Sequence, residues 1–316
     1  GIAHKIGAER TLGELCYWGV EKDILLNNPV KFKADWVAAG LPGKLVSDKV
    51  KPRTALSRAV RTWIKDHKDS LSDREEWVAK ITEDAGDNLK YVIDVVSTDK
   101  TLNFVGATTN RRLEVTLNKK TGVLACTDKD LVQYYNESTP RLTAQDIQVV
   151  CSKFVKWCNA VGTLKGSPIY FVPSAGGNVE SLKKGKEFLN GYGIGTVLSS
   201  WPIADLDSAK EAAWESLQKE LASELGKLET ELESTEDNKR DGTWSKRLDH
   251  LKEIKEKSDL YTALLKREAK QADQKISELA TKLSQKIQGS STKESAEGDN
   301  ENPDETQTED EEKETV

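Results

Sequence analysis

Leu113-Glu114-Val115-Thr116-Leu117-Asn118-Lys119-Lys120-Thr121-Gly122-Val123-Leu124-Ala125-Cys126 is the stretch on which the fold turns. Leu113, Val115 and Leu117 alternate with polar residues, the period-two pattern of a strand with one wet face. Residues 118–122 are turn formers, and residues 123–126 resume the apolar character. Two antiparallel strands joined by a short connection are expected.

The same grammar extends towards the N-terminus. Trp77, Ala79 and Ile81 alternate, and apolar runs follow at 91–96 and 102–105. The links at 83–88, 97–100 and 108–110 are short and rich in turn residues, so the region reads as an antiparallel meander. Further upstream, residues 15–20 read as a strand. Pro29 begins a helix that Gly40 and Pro42 end. After Pro52, Leu56, Val60, Trp63 and Ile64 recur at helical spacing.

Downstream, the period changes to about 3.6 at Thr143. Residues 143–146 fit an N-cap, and Ile147, Val150, Phe154, Trp157, Cys158 and Val161 form the apolar stripe. Strands at 169–172 and 194–198 flank a helix at 179–189. This β-α-β unit can join the meander in one mixed sheet or add a small layer of its own, and the single sheet is the favoured expectation. Trp18, Trp36, Trp63, Trp157 and Trp214 sit on apolar stripes and are expected in the core. Trp201, beside Pro202, is open to either core packing or base stacking.

In the C-terminal third, Trp214, Leu217, Leu221, Leu225, Leu228 and Leu232 mark a helix from about 207 to 234. A second helix is expected from about 244 to 288, with a stripe that includes Leu248, Leu251, Ile254, Tyr261, Leu265, Ala272, Ile276, Leu279 and Leu283. At ~1.5 Å per residue it would outrun the first by roughly 28 Å. That overhang makes Leu265, Ile276, Leu279 and Leu283 candidates for oligomerisation. The fold class is therefore α+β: an antiparallel β-meander sheet with packed helices and a β-α-β unit (1–204), a long antiparallel, coiled-coil-like helical hairpin (205–288) and a disordered acidic tail (289–316).

Charge divides the same way. Residues 1–200 carry 29 Lys+Arg and 23 Asp+Glu, residues 201–288 carry 16 and 19, and residues 289–316 carry 2 and 11. A basic body with an acidic tail points to a polyanionic partner, with the tail as a competitor for the same cations. Arg58, Arg61, Lys65 and Lys68, at i, i+3, i+7 and i+10 on the helix after Pro52, form a basic stripe suited to phosphates, and Lys49, Lys51 and Arg53 precede it. Arg111 and Arg112, with Lys119 and Lys120, lie near predicted hairpin tips and complete the candidate nucleic-acid-binding set.

Other chemistry is thinly supplied. Cys16, Cys126, Cys151 and Cys158 show no C-x-x-C spacing, and the three histidines are scattered, so no metal site or cofactor is expected. Ser174-Ala175-Gly176-Gly177-Asn178 stands between a strand and a helix but lacks the phosphate-loop pattern. There is no H-E-x-x-H, G-x-S-x-G or EF-hand loop, so no catalytic residue is assigned. No run approaches the ~18 consecutive apolar residues of a membrane helix, and residues 1–10 hold no apolar leader. A cytoplasmic protein without a membrane partner is expected.

Three segments resemble an uncharacterised family of bacterial and bacteriophage proteins. They are Pro52-Arg53-Thr54-Ala55-Leu56-Ser57-Arg58-Ala59, Gly166-Ser167-Pro168-Ile169-Tyr170-Phe171-Val172-Pro173, and Trp201-Pro202-Ile203. The resemblance implies a phage or prophage setting, hence the host cytoplasm, and carries over no activity or site. The leading expectation is a non-enzymatic accessory protein that binds nucleic acid electrostatically, modulated by the acidic tail. The alternatives are a homo-oligomeric or protein-interaction module assembled through the helices, and an enzyme whose carboxylates meet only in space.

Overall fold

The computed structural model describes residues 11–73, 75–99, 104–163, 168–233 and 241–297, with the side chains of 97–99, 104–112, 241–243 and 289–297 left aside. The elements in order are β1 (Thr11–Val20), β2 (Leu25–Leu26), α1 (Pro29–Ala38), α2 (Pro52–Asp66), β3 (Glu75–Ala85), β4 (Asn88–Asp99), β5 (Phe104–Asn118), β6 (Leu124–Ala125), α3 (Lys129–Ser138), β7 (Leu142–Thr143), α4 (Ala144–Trp157), β8 (Val161–Gly162), β9 (Tyr170–Pro173), α5 (Asn178–Gly191), β10 (Thr196–Ala204), α6 (Asp207–Glu233), α7 (Asp241–Leu265) and α8 (Lys270–Glu297). The protein is α+β, with antiparallel sheets and a helical C-terminal third.

The chain forms two units. One comprises Leu15–Ala160 and Gly177–Trp201; the other comprises Gly1–Glu14, Val161–Gly176 and Pro202–Val316. The expected division at residue 204 is thus replaced by one that cuts through β1 and β10.

In the unit holding residues 15–160, β3-β4-β5-β6 is an antiparallel meander. Leu89, Ile93, Val95, Val115 and Leu117 are buried on it. The turn expected at 108–110 is instead inside β5. Ile93 pairs with Leu113 and Val95 with Thr108, so residues 109–112 bulge opposite Asp94 alone. A bulge absorbs turn-forming residues without ending a strand. Leu102, part of an expected strand, lies outside the described residues. The meander is also a sheet of its own. β9 and β10 join β1 and β8 in a separate sheet, of order β10-β1-β9-β8, rather than extending the meander.

The helices of this unit pack through aromatic rings. Trp36 meets Phe154 at 5.4 Å and Phe188 at 5.3 Å, both edge to face. Gly185 lets α5 approach α4 closely, since a Cβ there would stand 2.2 Å from the Phe154 ring. Trp36 and Trp63 are buried as expected, and Trp18 and Trp214 are half-buried. Trp157 does not join the core: it is 39 % exposed and stacks on Phe154 at the end of α4. Trp201 is 50 % exposed and leans on Tyr17 at 5.3 Å.

The other unit carries the C-terminal helices. The second helix of the expected hairpin is two helices, broken at Lys266, whose φ is 54°. Lys255 on α7 pairs with Asp273 on α8 at 3.0 Å, so α8 folds back along α7. The reason is energetic. A non-glycine residue in the left-handed region costs about 1–2 kcal/mol. Continuing straight would leave Ile276, Leu279 and Leu283 in water, and burying each contributes about 1.5–3 kcal/mol. Helices of 27, 25 and 28 residues are about 40, 38 and 42 Å long, and with Lys255 level with Asp273 only the last ten residues of α8, about 15 Å, run past the start of α7, so the expected overhang of roughly 28 Å is about halved and lies beyond Leu283. Leu265, Ile276, Leu279 and Leu283 are buried inside the chain's own bundle, 0–6 % exposed, and offer no exposed stripe for a second copy. α8 also continues past Gln288 to Glu297, and residues 298–316 lie outside the described residues.

Opposite charges set the register between helices. Glu220 pairs with Lys257 at 2.6 Å and Glu231 with Arg247 at 2.8 Å, while Glu211 meets Arg267 and Glu229 meets Lys275. As positions rise on α6 they fall on α7, as antiparallel packing requires.

Candidate anion-binding cleft

Pro52 opens α2 at its first turn, where the missing N–H costs nothing. Ala55, Leu56, Ala59, Val60 and Trp63 are buried, which fixes the rotation of the helix. The opposite face then presents two rows four residues apart, Arg53-Ser57-Arg61 and Thr54-Arg58-Thr62. Both rows line one cavity of about 690 Å³. Facing them are Tyr134, Glu137 and Ser138 of α3, with Arg141 and Thr143 from the link into α4, Gln145 from its first turn and Leu25 from β2.

The sequence reading missed α3. Its signals are present: the Asp128 carboxylate accepts the Leu131 N–H at 2.8 Å as an N-cap, Leu131 and Tyr135 are buried one turn apart, and Pro140 follows the end. Arg141, which the candidate set also lacks, enters the cleft because α3 turns there.

Three of the four arginines are held by carboxylates. Arg53 pairs with Asp84 at 2.7 Å. Arg58 donates from Nη2 to Asp146 Oδ2 at 2.6 Å and from Nη1 to the Arg141 carbonyl at 3.3 Å. Arg141 pairs with Glu137 at 3.4 Å. Arg61 is exposed and has no ion pair among the described residues. The Tyr134 hydroxyl donates to Asp66 at 2.8 Å, and that bond pushes its phenol pKa up.

Of the other candidates, Lys119 reaches the same carboxylate as Arg53, at 2.7 Å from Asp84. The hydrogen bond from Lys119, with the charge of Arg53, holds the Asp84 carboxyl below the usual range. Lys65 continues the Arg53-Ser57-Arg61 row by one turn, exposed and outside the cavity lining. Lys120 is exposed on the turn after β5. Arg111 and Arg112 belong to the bulge of β5 rather than to a hairpin tip, and their side chains lie outside the described residues.

Cys16, Cys126, Cys151 and Cys158 are free thiols, and burial pushes Cys151 and Cys158 up to about 12. Among the described residues, no group of three or more His, Cys, Asp or Glu could hold a metal ion, and Glu137 is the one carboxylate lining the cleft. No described helix is long and apolar enough to cross a membrane.

Fold and site define an α+β protein with an arginine-lined cleft on its second helix. Residues 11–297 match the family of unknown function DUF6744, and the chain belongs to that family. No curated protein and no solved structure matches it. Pro52–Ala59, one of the segments that carried the resemblance, is the first two turns of α2 and forms part of the cleft wall.

Proposed function

We propose that this is a non-enzymatic accessory protein of phage or prophage type that binds nucleic acid in the cytoplasm. Binding is through the phosphate backbone and without sequence preference, and the acidic C-terminal residues compete for the same cations. The supporting observation is the convergence of Arg53, Arg58, Arg61 and Arg141 on one cavity, with Arg61 unengaged by any described carboxylate. Guanidinium groups match phosphate geometry, and phosphate neutralisation makes affinity depend on salt. Nine of the residues at 298–316 are carboxylates against one lysine, enough to occupy a cationic cleft when nucleic acid is absent. Assembly through the C-terminal helices loses its motivating feature, because the stripe expected to be exposed is buried within the bundle.

The test is a fluorescence titration of labelled single-stranded and duplex oligonucleotides at low and moderate salt. It uses the full chain, the Arg61→Glu variant and a chain ending at Glu297, which keeps α8 whole. Binding should weaken with salt, weaken in Arg61→Glu and tighten without residues 298–316. Binding that ignores salt, or that Arg61→Glu leaves unchanged, overturns the proposal.

A further inference from the structure

We infer that the ligand of the cleft is an unpaired nucleic-acid strand, with one nucleotide seated inside: its phosphate on Arg61 and its base against Tyr134 and Leu25. This rests on the reading of the cleft as a phosphate site.

Shape is the first argument. The arginines line a concavity between α2 and α3, not a convex ridge. A duplex carries its phosphates on the outside of a rod with a persistence length of about 50 nm, and cannot fold into a depression on this scale. A single strand can, because its backbone bends and its bases splay outward. The cavity, at about 690 Å³, falls in the range of small-ligand pockets, about 300–1,000 Å³, so it holds a nucleotide and not a length of helix.

The wall supplies the second argument. A site for phosphate alone needs only cations and N–H donors. Here Leu25, 56 % exposed, and the Tyr134 ring stand among the arginines. Aromatic rings take bases of any identity by stacking. Gln145 and Ser138 add neutral hydrogen-bonding groups at the same cavity for a base edge.

Charge balance is the third. Arg53, Arg58 and Arg141 are engaged by Asp84, Asp146 and Glu137, which leaves Arg61 as the cation of the lining with no ion pair among the described residues. That complement suits one phosphate rather than a run of them. Lys65, one turn beyond, is placed for the next phosphate along the strand.

The experiment compares three forms of one labelled oligonucleotide against the full chain: unpaired, annealed to its complement, and abasic with the same backbone. It also compares Arg61→Ala, Tyr134→Ala and Tyr134→Phe on the unpaired strand. The unpaired strand should bind about tenfold or more tighter than the duplex and the abasic strand, the size of one base–aromatic stack. Tyr134→Ala should lose about as much, and Tyr134→Phe, which keeps the ring and drops the Asp66 bond, should retain binding. Equal affinity for abasic and unpaired strands, or for duplex and unpaired strands, overturns the inference while leaving the phosphate reading intact if Arg61→Ala still weakens binding. Indifference to Arg61→Ala removes the phosphate reading itself. Should Tyr134→Ala fail to fold, the abasic comparison on the unmodified chain still decides.

Discussion

Arg58 on α2 and Asp146 on α4 are 88 residues apart in sequence and meet at 2.6 Å. The same Asp146 oxygen accepts the Thr143 N–H at 2.8 Å and the Thr143 hydroxyl at 3.1 Å. One carboxylate therefore caps α4 and fixes an arginine of the cleft wall, so Arg58 has a structural task before any ligand arrives.

Arg58 and Arg61 should consequently separate. Arg58→Ala removes a charge-assisted bond between groups only 19 % and 24 % exposed, and should lower stability by about 1.5–3 kcal/mol in urea unfolding. Arg61→Ala should stay within about 0.5 kcal/mol of the parent, as exposed substitutions do. It should instead reduce the salt dependence of nucleic-acid binding by about one phosphate contact. The reverse pattern would show that the roles of the two are misassigned.

Leu279 sits fully buried between α8 and its neighbours. Leu279→Ala should cost about 2–5 kcal/mol, the usual cost of a core cavity. Mass by light scattering, followed across concentration, should be the same for both proteins. A parent assembly that dissociates on this substitution would restore the oligomer reading.

Acid should loosen the helical bundle. Hydrogen bonds from Arg267 and Lys275 hold the Glu211 and Glu229 carboxyls below their ordinary values. As pH falls the unfolded chain takes up protons first, so this contribution is complete above about pH 5 and declines as pH drops towards the depressed folded values. Thermal melts across that window should show the decline. A Glu211→Gln, Glu229→Gln double variant should show a shallower one, and an unchanged slope would rule these pairs out as its source.

Thiol chemistry should be silent in the native state. Cys16, Cys151 and Cys158 are buried, and burial holds the last two at about 12, far from thiolate at neutral pH. Cys126, half-buried, is raised by the same cause. Alkylation at about pH 8 should be slow until denaturant is added, after which all four should react. Rapid labelling of Cys151 in the folded protein would contradict the packing of α4.

Much of this was legible from the chain. Period-two and period-3.6 patterns locate β1, α1, α2, β4, α4 and α5, and the Thr143-x-x-Asp146 cap stands where it was read. What escaped has a physical reason in each case. Lys266-Arg267-Glu268-Ala269 contains neither glycine nor proline, so nothing local announces the reversal between α7 and α8; the gain lies in tertiary burial that a one-dimensional stripe does not display. Residues 109–112 look like a turn because bulges use the same residues. The basic stripe of α2 was visible, but its concavity was not, since the facing wall comes from α3 and from Arg141, more than seventy residues further along the chain.

The count of helical passes has a parity. Two passes return a chain to the end it left; three deliver it to the other. Because α8 runs alongside α6 in the same direction, Glu297 emerges past the end where α6 hands over to α7; with Glu220 level with Lys257 and Lys255 with Asp273, it stands about 58 Å along the bundle from Asp207. A reporter placed behind Glu297 and another at Asp207 would thus act as the two marks of a ruler laid along the bundle.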